Sequence, residues 1–382
     1  MDLTIVSSNT VSSNTVSSRV LSVAFGGAFV GETAALSAAC LWAAATLMFG
    51  RIGKQLTPVV LNSVKGVFAI AMIIITLILR AQLRAWPIEA SSIETLPIEA
   101  LSIEALSIEA LSSDLSASDI FYLLLSGGVG IGLGDTAYFG AINALGARRA
   151  LLLETLAPPI AAVLAWIFLE EQLSLRAVTG IALTLAGVFW VISDRTEAET
   201  NTQHNNTQHN MTIGLGIAFV AVFCQAAGAV LSRGVLAGTE IDPLLSALLR
   251  LVAGLGFTSA LMLKGIVLRC SALRALFAMR TNYANTFDTQ HQQRRWHKNM
   301  MALRQPTLLS AVAISAFLGT YLGIWLQQIS LKYTATGIAQ SLLATSPLFV
   351  LPMAALLGDK VSYRAIFGAV IALCGVWILL AS

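Results

Sequence analysis

The chain has 382 residues and a formal net charge of +3; 56% of its residues are hydrophobic and only 11% charged, with a mean hydropathy of +0.78. A soluble globular chain carries about 25% charged residues, so the bilayer is the expected solvent. The thin spread of basic residues excludes nucleic acid as the expected partner. The four cysteines form no CxxC pair and the four histidines all lie in polar stretches, so neither a disulfide framework, a metal site nor a cofactor is expected.

Taken in chain order, residues 1–30 read as a polar N-terminal tail without an early basic cluster, unlike a cleaved signal peptide. Ten apolar runs then follow, each near the roughly 20 residues a helix needs to cross a membrane. They lie at about 33–50, 58–79, 119–144, 149–169, 175–193, 213–232, 243–264, 307–331, 334–356 and 361–381. Continuous apolar length predicts helices, whereas a membrane barrel would show short alternating segments. The expected fold is an all-α integral membrane protein. The loops 80–118 and 265–306 are long, and 194–212 is a polar linker. Short tandem repeats (SSNTV, IEALS, NTQHN) fall in three of the polar segments. A five-residue period does not keep one helix face, so these read as expansions tolerated in loops.

A larger repeat divides the chain at the linker. GIALTLAGVFWV (180–191) matches GAVIALCGVWIL (368–379), with Gly180 and Gly187 each 188 residues from Gly368 and Gly375. The same offset pairs Pro159 with Pro347 and Ser174 with Ser362. Near the start of each half, TPVVLNSVK (57–65) matches DPLLSALLR (242–250), which pairs Lys65 with Arg250. Residues 31–193 and 213–382 are thus two copies of a five-span unit. Five is odd, so the second copy is expected upside down: ten transmembrane helices as two inverted five-helix repeats, a design of secondary transporters.

The charges inside the runs are the candidate site. Lys65 lies seven residues inside its run, a depth of about 10 Å. Asp135 and Glu154 lie in the third and fourth runs, about 14 Å and 9 Å from the loop between them. All three fall in the same half of the membrane. Intramembrane ionisable groups mark substrate or ion pathways, and a carboxylate there can carry a proton. Arg250 is expected at the opposite side, because its repeat is inverted. The second half has no counterpart of either acid and offers Gln327, Gln328, Gln340 and Ser341 instead. Tyr138 and Gln327 complete the candidate set. Pro158, Pro159 and Pro347 interrupt their runs, and the glycines of GGVGIGLG (127–134) allow close helix approach.

The stretch GVGIGLGDTAYFGAINALGARRALLLETLAPPIAAVLAWIFLEEQLSLRAVTGIALTLAGVFWV and its second copy, GTYLGIWLQQISLKYTATGIAQSLLATSPLFVLPMAALLGDKVSYRAIFGAVIALCGVWIL, resemble the EamA domain of the drug/metabolite transporter superfamily. The resemblance implies export of a small solute across the cell (inner) membrane by a multi-pass protein, in some members proton-coupled. A basic residue in the second span of each repeat, here Lys65 and Arg250, and an acidic end to the fourth span, here Glu170 and Glu171, fit it. It also implies both termini in the cytoplasm. The arginine and lysine distribution favours the reverse, with six basic residues in the inner segments and fifteen in the outer. No HExxH, Ser–His pair or GxxxxGK[ST] is present in the runs, so neither an enzyme nor an ATP-driven pump is expected. A flippase for a lipid-linked carrier, or an accessory membrane subunit, is the alternative.

Overall fold

The computed structural model describes residues 29–52, 56, 58–85, 115–145, 150, 153–194, 207–262, 304–356 and 362–381. All the regular secondary structure among them is helical. The SSNTV and IEALS repeats, the first NTQHN copy and nearly all of the 265–306 loop lie outside the described residues. The helical arms are α1 (Val30–Ile52), α2 (Pro58–Ala85), α3 (Ala117–Gly127 continuing through Gly128–Gly134 and Asp135–Leu145) and α4 (Ala157–Leu169). Next come α5 (Leu175–Asp194), α6 (Thr207–Leu236) and α7 (Pro243–Met262). The chain ends with α8 (Pro306–Ser315 continuing through Ala316–Leu322 and Gly323–Tyr333), α9 (Thr336–Leu343 and Ser346–Leu356) and α10 (Tyr363–Leu380).

Eight of these arms are long and apolar enough to cross a membrane by length and composition. The two others, Ala157–Leu169 and Leu175–Val191, are apolar but shorter. The expectation of ten full-length runs is therefore met by eight. The fourth run is cut because its helix stops at Glu154, turns at Thr155 and Leu156, and restarts at Ala157 with proline in its first turn. Proline has no N–H to give to the previous turn and is at home at a helix start. The ninth run is cut in the same place, with a turn at Ala344 and Thr345 before Ser346 and Pro347. Equivalent prolines thus break equivalent helices.

The same regularity appears elsewhere. The middle segments of α3 (Gly128–Gly134) and α8 (Ala316–Leu322) are π-helical and lie 188 residues apart. The hydroxyls of Ser174 and Ser362 accept from Ala177 N at 3.1 Å and Ala365 N at 3.2 Å, each satisfying an orphan donor at the start of α5 and α10. The first arm of each half packs into the other half: α1 against α8 and α9, α6 against α3 and α4.

The closest pairing is α5 against α10. A methyl group on Gly187 would overlap the backbone of Gly368 and Ala372, and one on Gly375 would overlap Gly180 O and Thr184. The residue order runs in opposite directions along the two helices, so they are antiparallel. Shifting each member of the Gly180–Gly375 contact by 188, the first up and the second down, gives the Gly368–Gly187 contact. Small residues let backbones meet where lipid offers no hydrophobic drive to associate. Large side chains point outward instead, including Trp166, Phe168, Phe367 and Trp377, as a bilayer permits.

Substituting Gly187→Leu should therefore lower the unfolding midpoint of the detergent-purified protein, at a cost of about 1–3 kcal/mol for overpacking. Gly216→Ala, where a methyl meets nothing within 4 Å, should leave the midpoint unchanged or slightly raised, because alanine is the better helix former. Equal midpoints for the two variants would show that the α5–α10 contact is not what holds the halves together.

Candidate functional site

Lys65 reaches from the second turn of α2 to α3, where its Nζ lies 3.7 Å from Asp135 Oδ2. Asp135 is the first residue after the π-helical segment of α3. Such segments interrupt the regular bonding of a helix and recur at functional sites. Lys65 and Asp135 both line a cavity whose other walls include Asn62 on α2, Gly254 and Thr258 on α7, and Thr320 and Ile324 on α8. The cavity thus lies between the two halves. Its volume is ≈ 20 Å³, room for about one water molecule and not for a metabolite.

Glu154 lies at the break before α4, and its buried Oε2 has no hydrogen-bond partner. The restarted helix presents its N-terminal, partly positive end to that break. Glu154 feels the Asp135 charge, and Tyr138 feels both. Tyr138 stands one turn beyond Asp135 and packs with Leu153 and Ile217 over Ala141 and Ala218. Arg250 belongs to α7, in the second repeat. Its backbone lies where a side chain on Gly127 would be, and its Nη2 is 3.5 Å from the position a Cβ on Gly130 would take. It faces Asp135 electrostatically. Five of the six sequence candidates are therefore linked through Asp135, which pairs with Lys65 and interacts electrostatically with Arg250, Glu154 and Tyr138. Gln327 is 9% exposed and is not in the cavity lining. Its neighbour Gln328 is the residue that joins the polar interior: it is fully buried, and its Oε1 accepts from Ser232 and from Ser246 at 3.0 Å.

One end of the bundle carries a second group of charges. Arg233 Nε donates to Glu171 Oε1 at 2.7 Å, and Thr336 N donates to Glu171 Oε2 at 2.8 Å. The same guanidinium donates to the carbonyls of Leu331 and Lys332, each at 2.7 Å. Glu170, with φ of 54°, makes the left-handed turn between α4 and Glu171, a conformation that is unusual for a residue other than glycine. Arg80 pairs with Asp242 at 3.0 Å and lies over the Trp325 ring at 5.0 Å. The Glu171 contacts with Arg233 and Thr336, and the Arg80 contacts with Asp242 and Trp325, tie the first half to the second. At the opposite end, Leu56, Val60, Leu61, Leu308 and Val312 pack as an apolar cluster.

Sequence reasoning did not select Asn62, Thr258, Thr320, Ser232, Ser246 or the Arg80–Asp242 pair. The available signal was periodic: Asn62 and Ser246 stand one turn or nearly so before Lys65 and Arg250 on the same helices. Trp42 and Tyr321 also make polar contacts. Trp42 Nε1 donates to Gly319 O at 2.8 Å within the π-helical segment of α8, and Tyr321 shares a 2.8 Å hydrogen bond with Thr76.

No match was found among curated proteins. A solved crystal structure of a protein aligns over 91% of this chain and 96% of its own, with a TM-score of 0.58 at 14% identity. At that identity the likeness concerns the fold alone. The model of the EamA-like transporter family matches residues 29–193 and again 212–381. These two stretches coincide with the halves whose helices break and pack at equivalent positions, and the chain belongs to the EamA-like transporter family.

Proposed function

We propose that the chain is a secondary transporter that exports a small organic solute across the cell membrane by alternating access. It has ten membrane-crossing helices in two inverted repeats, and Asp135 and Glu154 carry a coupled proton. The observation that carries this reading is the Lys65–Asp135 pair in a cavity between the halves, beside the unpartnered Glu154 oxygen at a helix break. Discontinuous helices around a site between inverted repeats are the working parts of such carriers. The repeat inversion is supported by the antiparallel α5–α10 pair and by the exchange of its contacts at an offset of 188. The two shorter arms are compatible with crossing, since α4 continues an interrupted run that starts before Glu154.

The water-sized cavity suits a conformation between loadings. The ion pairs Glu171–Arg233 and Arg80–Asp242 then act as the closed gate at one end. Rocking of the halves would break them and open a path to the cavity from that end.

Proteoliposome flux of amino acids and cationic drugs, with and without an imposed pH gradient, tests the function. Wild-type flux should follow the gradient, and Asp135→Asn and Glu154→Gln should lose that coupling. Gradient-independent flux that survives both substitutions would remove the proton from the cycle. Absence of flux for the whole panel would favour lipid-linked cargo.

The ion pair has its own test. Lys65→Met alone should destabilise the protein by about 3–5 kcal/mol, because Asp135 is left uncompensated, whereas Lys65→Met with Asp135→Leu should recover most of that loss. Transport should remain absent in both. Recovery of transport in the double variant would make the pair structural.

For the gate, a cysteine at Ser330 in a cysteine-free background should react slowly with a membrane-impermeant thiol reagent and several-fold faster once Glu171→Gln is added. An unchanged rate would show that the Glu171–Arg233 pair does not close that end.

A further inference from the structure

Between the cavity and the ionic gate lies a group of buried donors without an acceptor among the described residues. Arg250 is 3% exposed and Gln328 0%. Arg250 Nε and Nη1 and Gln328 Nε2 have no hydrogen-bond partner. The orientation of the Gln328 amide is set by its neighbours. Ser232 and Ser246 both donate to Oε1, which uses both of its lone pairs and leaves Nε2 as the unspent end. Ser246 sits one turn before Arg250 on α7, so the glutamine is fastened to the same stretch of helix that carries the guanidinium. An unmet buried donor costs about 1–3 kcal/mol, more when charged, so three together are costly unless a ligand meets them.

The chemistry of the missing group follows from the donor set. A guanidinium and an amide N–H supply only hydrogens, so the complement is an acceptor that carries negative charge. Asp135 faces Arg250 electrostatically but makes no hydrogen bond to it, and its oxygen is already shared with Lys65. An ammonium would be repelled by Arg250 and belongs with Asp135 and Glu154 instead. Gly127 and Gly130 on α3, with Gly228 on α6 beside them, let these backbones pack closely around Arg250 without a side chain of their own reaching its guanidinium.

We propose that Arg250 and Gln328, held by Ser232 and Ser246, form a binding station for an oxyanion of the solute, a carboxylate or a phosphate, on the gate side of the Lys65–Asp135 cavity. It rests on the transporter reading and deepens it. The solute is anionic or zwitterionic, and its oxyanion is passed between the Lys65 side and the Arg250 side as the halves rock. Arg250 supplies the charge, and Gln328 supplies a directed N–H.

Thermal unfolding of the purified full-length protein tests this with millimolar benzoate, phenylalanine, inorganic phosphate and phenethylamine, each against an equal concentration of chloride. Benzoate and phenylalanine, or phosphate, should raise the unfolding midpoint, because a ligand that binds only the folded state stabilises it. Phenethylamine, which lacks the carboxylate, should not. A rise with both carboxylates assigns the station to a carboxylate, and a rise with phosphate alone assigns it to a phosphate. The rise should be lost in Gln328→Leu, which keeps every charge, and reduced in Arg250→Lys, which keeps the charge but loses the Nε donor. No rise with any oxyanion, or an undiminished rise in both variants, overturns the proposal. Flux in proteoliposomes that persists alongside such a result would overturn the station alone and leave the transporter reading in place.

Discussion

Every backbone N–H and C=O within a bilayer must find its partner inside the protein, since the hydrocarbon supplies none. That constraint explains where this chain is regular and where it is not. The lipid-facing arms are plain α-helix. The irregular segments are the π-helical middles of α3 and α8, both packed against other helices, and the turns inside the fourth and ninth runs. Gly319 O, in one such segment, accepts from Trp42, and Gly132 O, in the other, accepts from Thr136 Oγ1 at 2.6 Å. Irregularity is thus tolerated because side chains supply the bonds that the helix gives up.

Polarity inside the bundle follows from the same shortage of water. Charges that enter must be paired or must await a ligand. Along the bundle they fall in order: Lys65 with Asp135 at the cavity, then Arg250, then Gln328 with Ser232 and Ser246, then Glu171 with Arg233. The last pair is fully bonded, with both carboxylate oxygens and three guanidinium contacts engaged. The middle of the series is not. The end is therefore closed by satisfied bonds, and the middle keeps its donors unspent. The Glu171–Arg233 and Arg80–Asp242 pairs also join the two halves.

Glycine supplies the mechanical side. The α5–α10 pair meets backbone to backbone, which fixes the outer edges of the two halves together. The α3–α7 crossing at Gly127 and Arg250 is as tight and lies beside the cavity. Close crossings thus join the halves both at their edge and beside the cavity.

Much of this was legible in the sequence because it depends on local chemistry. Apolar run length set the helices, and composition set the solvent. The 188-residue offset announced equivalent caps at Ser174 and Ser362 and equivalent breaks before Pro159 and Pro347. The proximity of Lys65 to Asp135 followed from their depth in the membrane, since two charges in one thin layer are forced toward each other. What sequence could not decide was direction around a helix axis across partners far apart in the chain. Gln327 and Gln328 are chemically identical neighbours, and only the packing of α8 against α7 and α6 turns Gln328 inward to the two serines. Glu171 and Arg233, 62 residues apart, meet because α4 and α6 come from different halves and interleave. The sequence by itself determined the helices, their repeat and the intramembrane charges, since each depends on residue type and spacing. The tertiary structure alone decided which of the buried polar groups share a partner and which are left without one, because hydrogen bonds depend on distances of a few ångströms between helices that the spacing along any one of them does not contain.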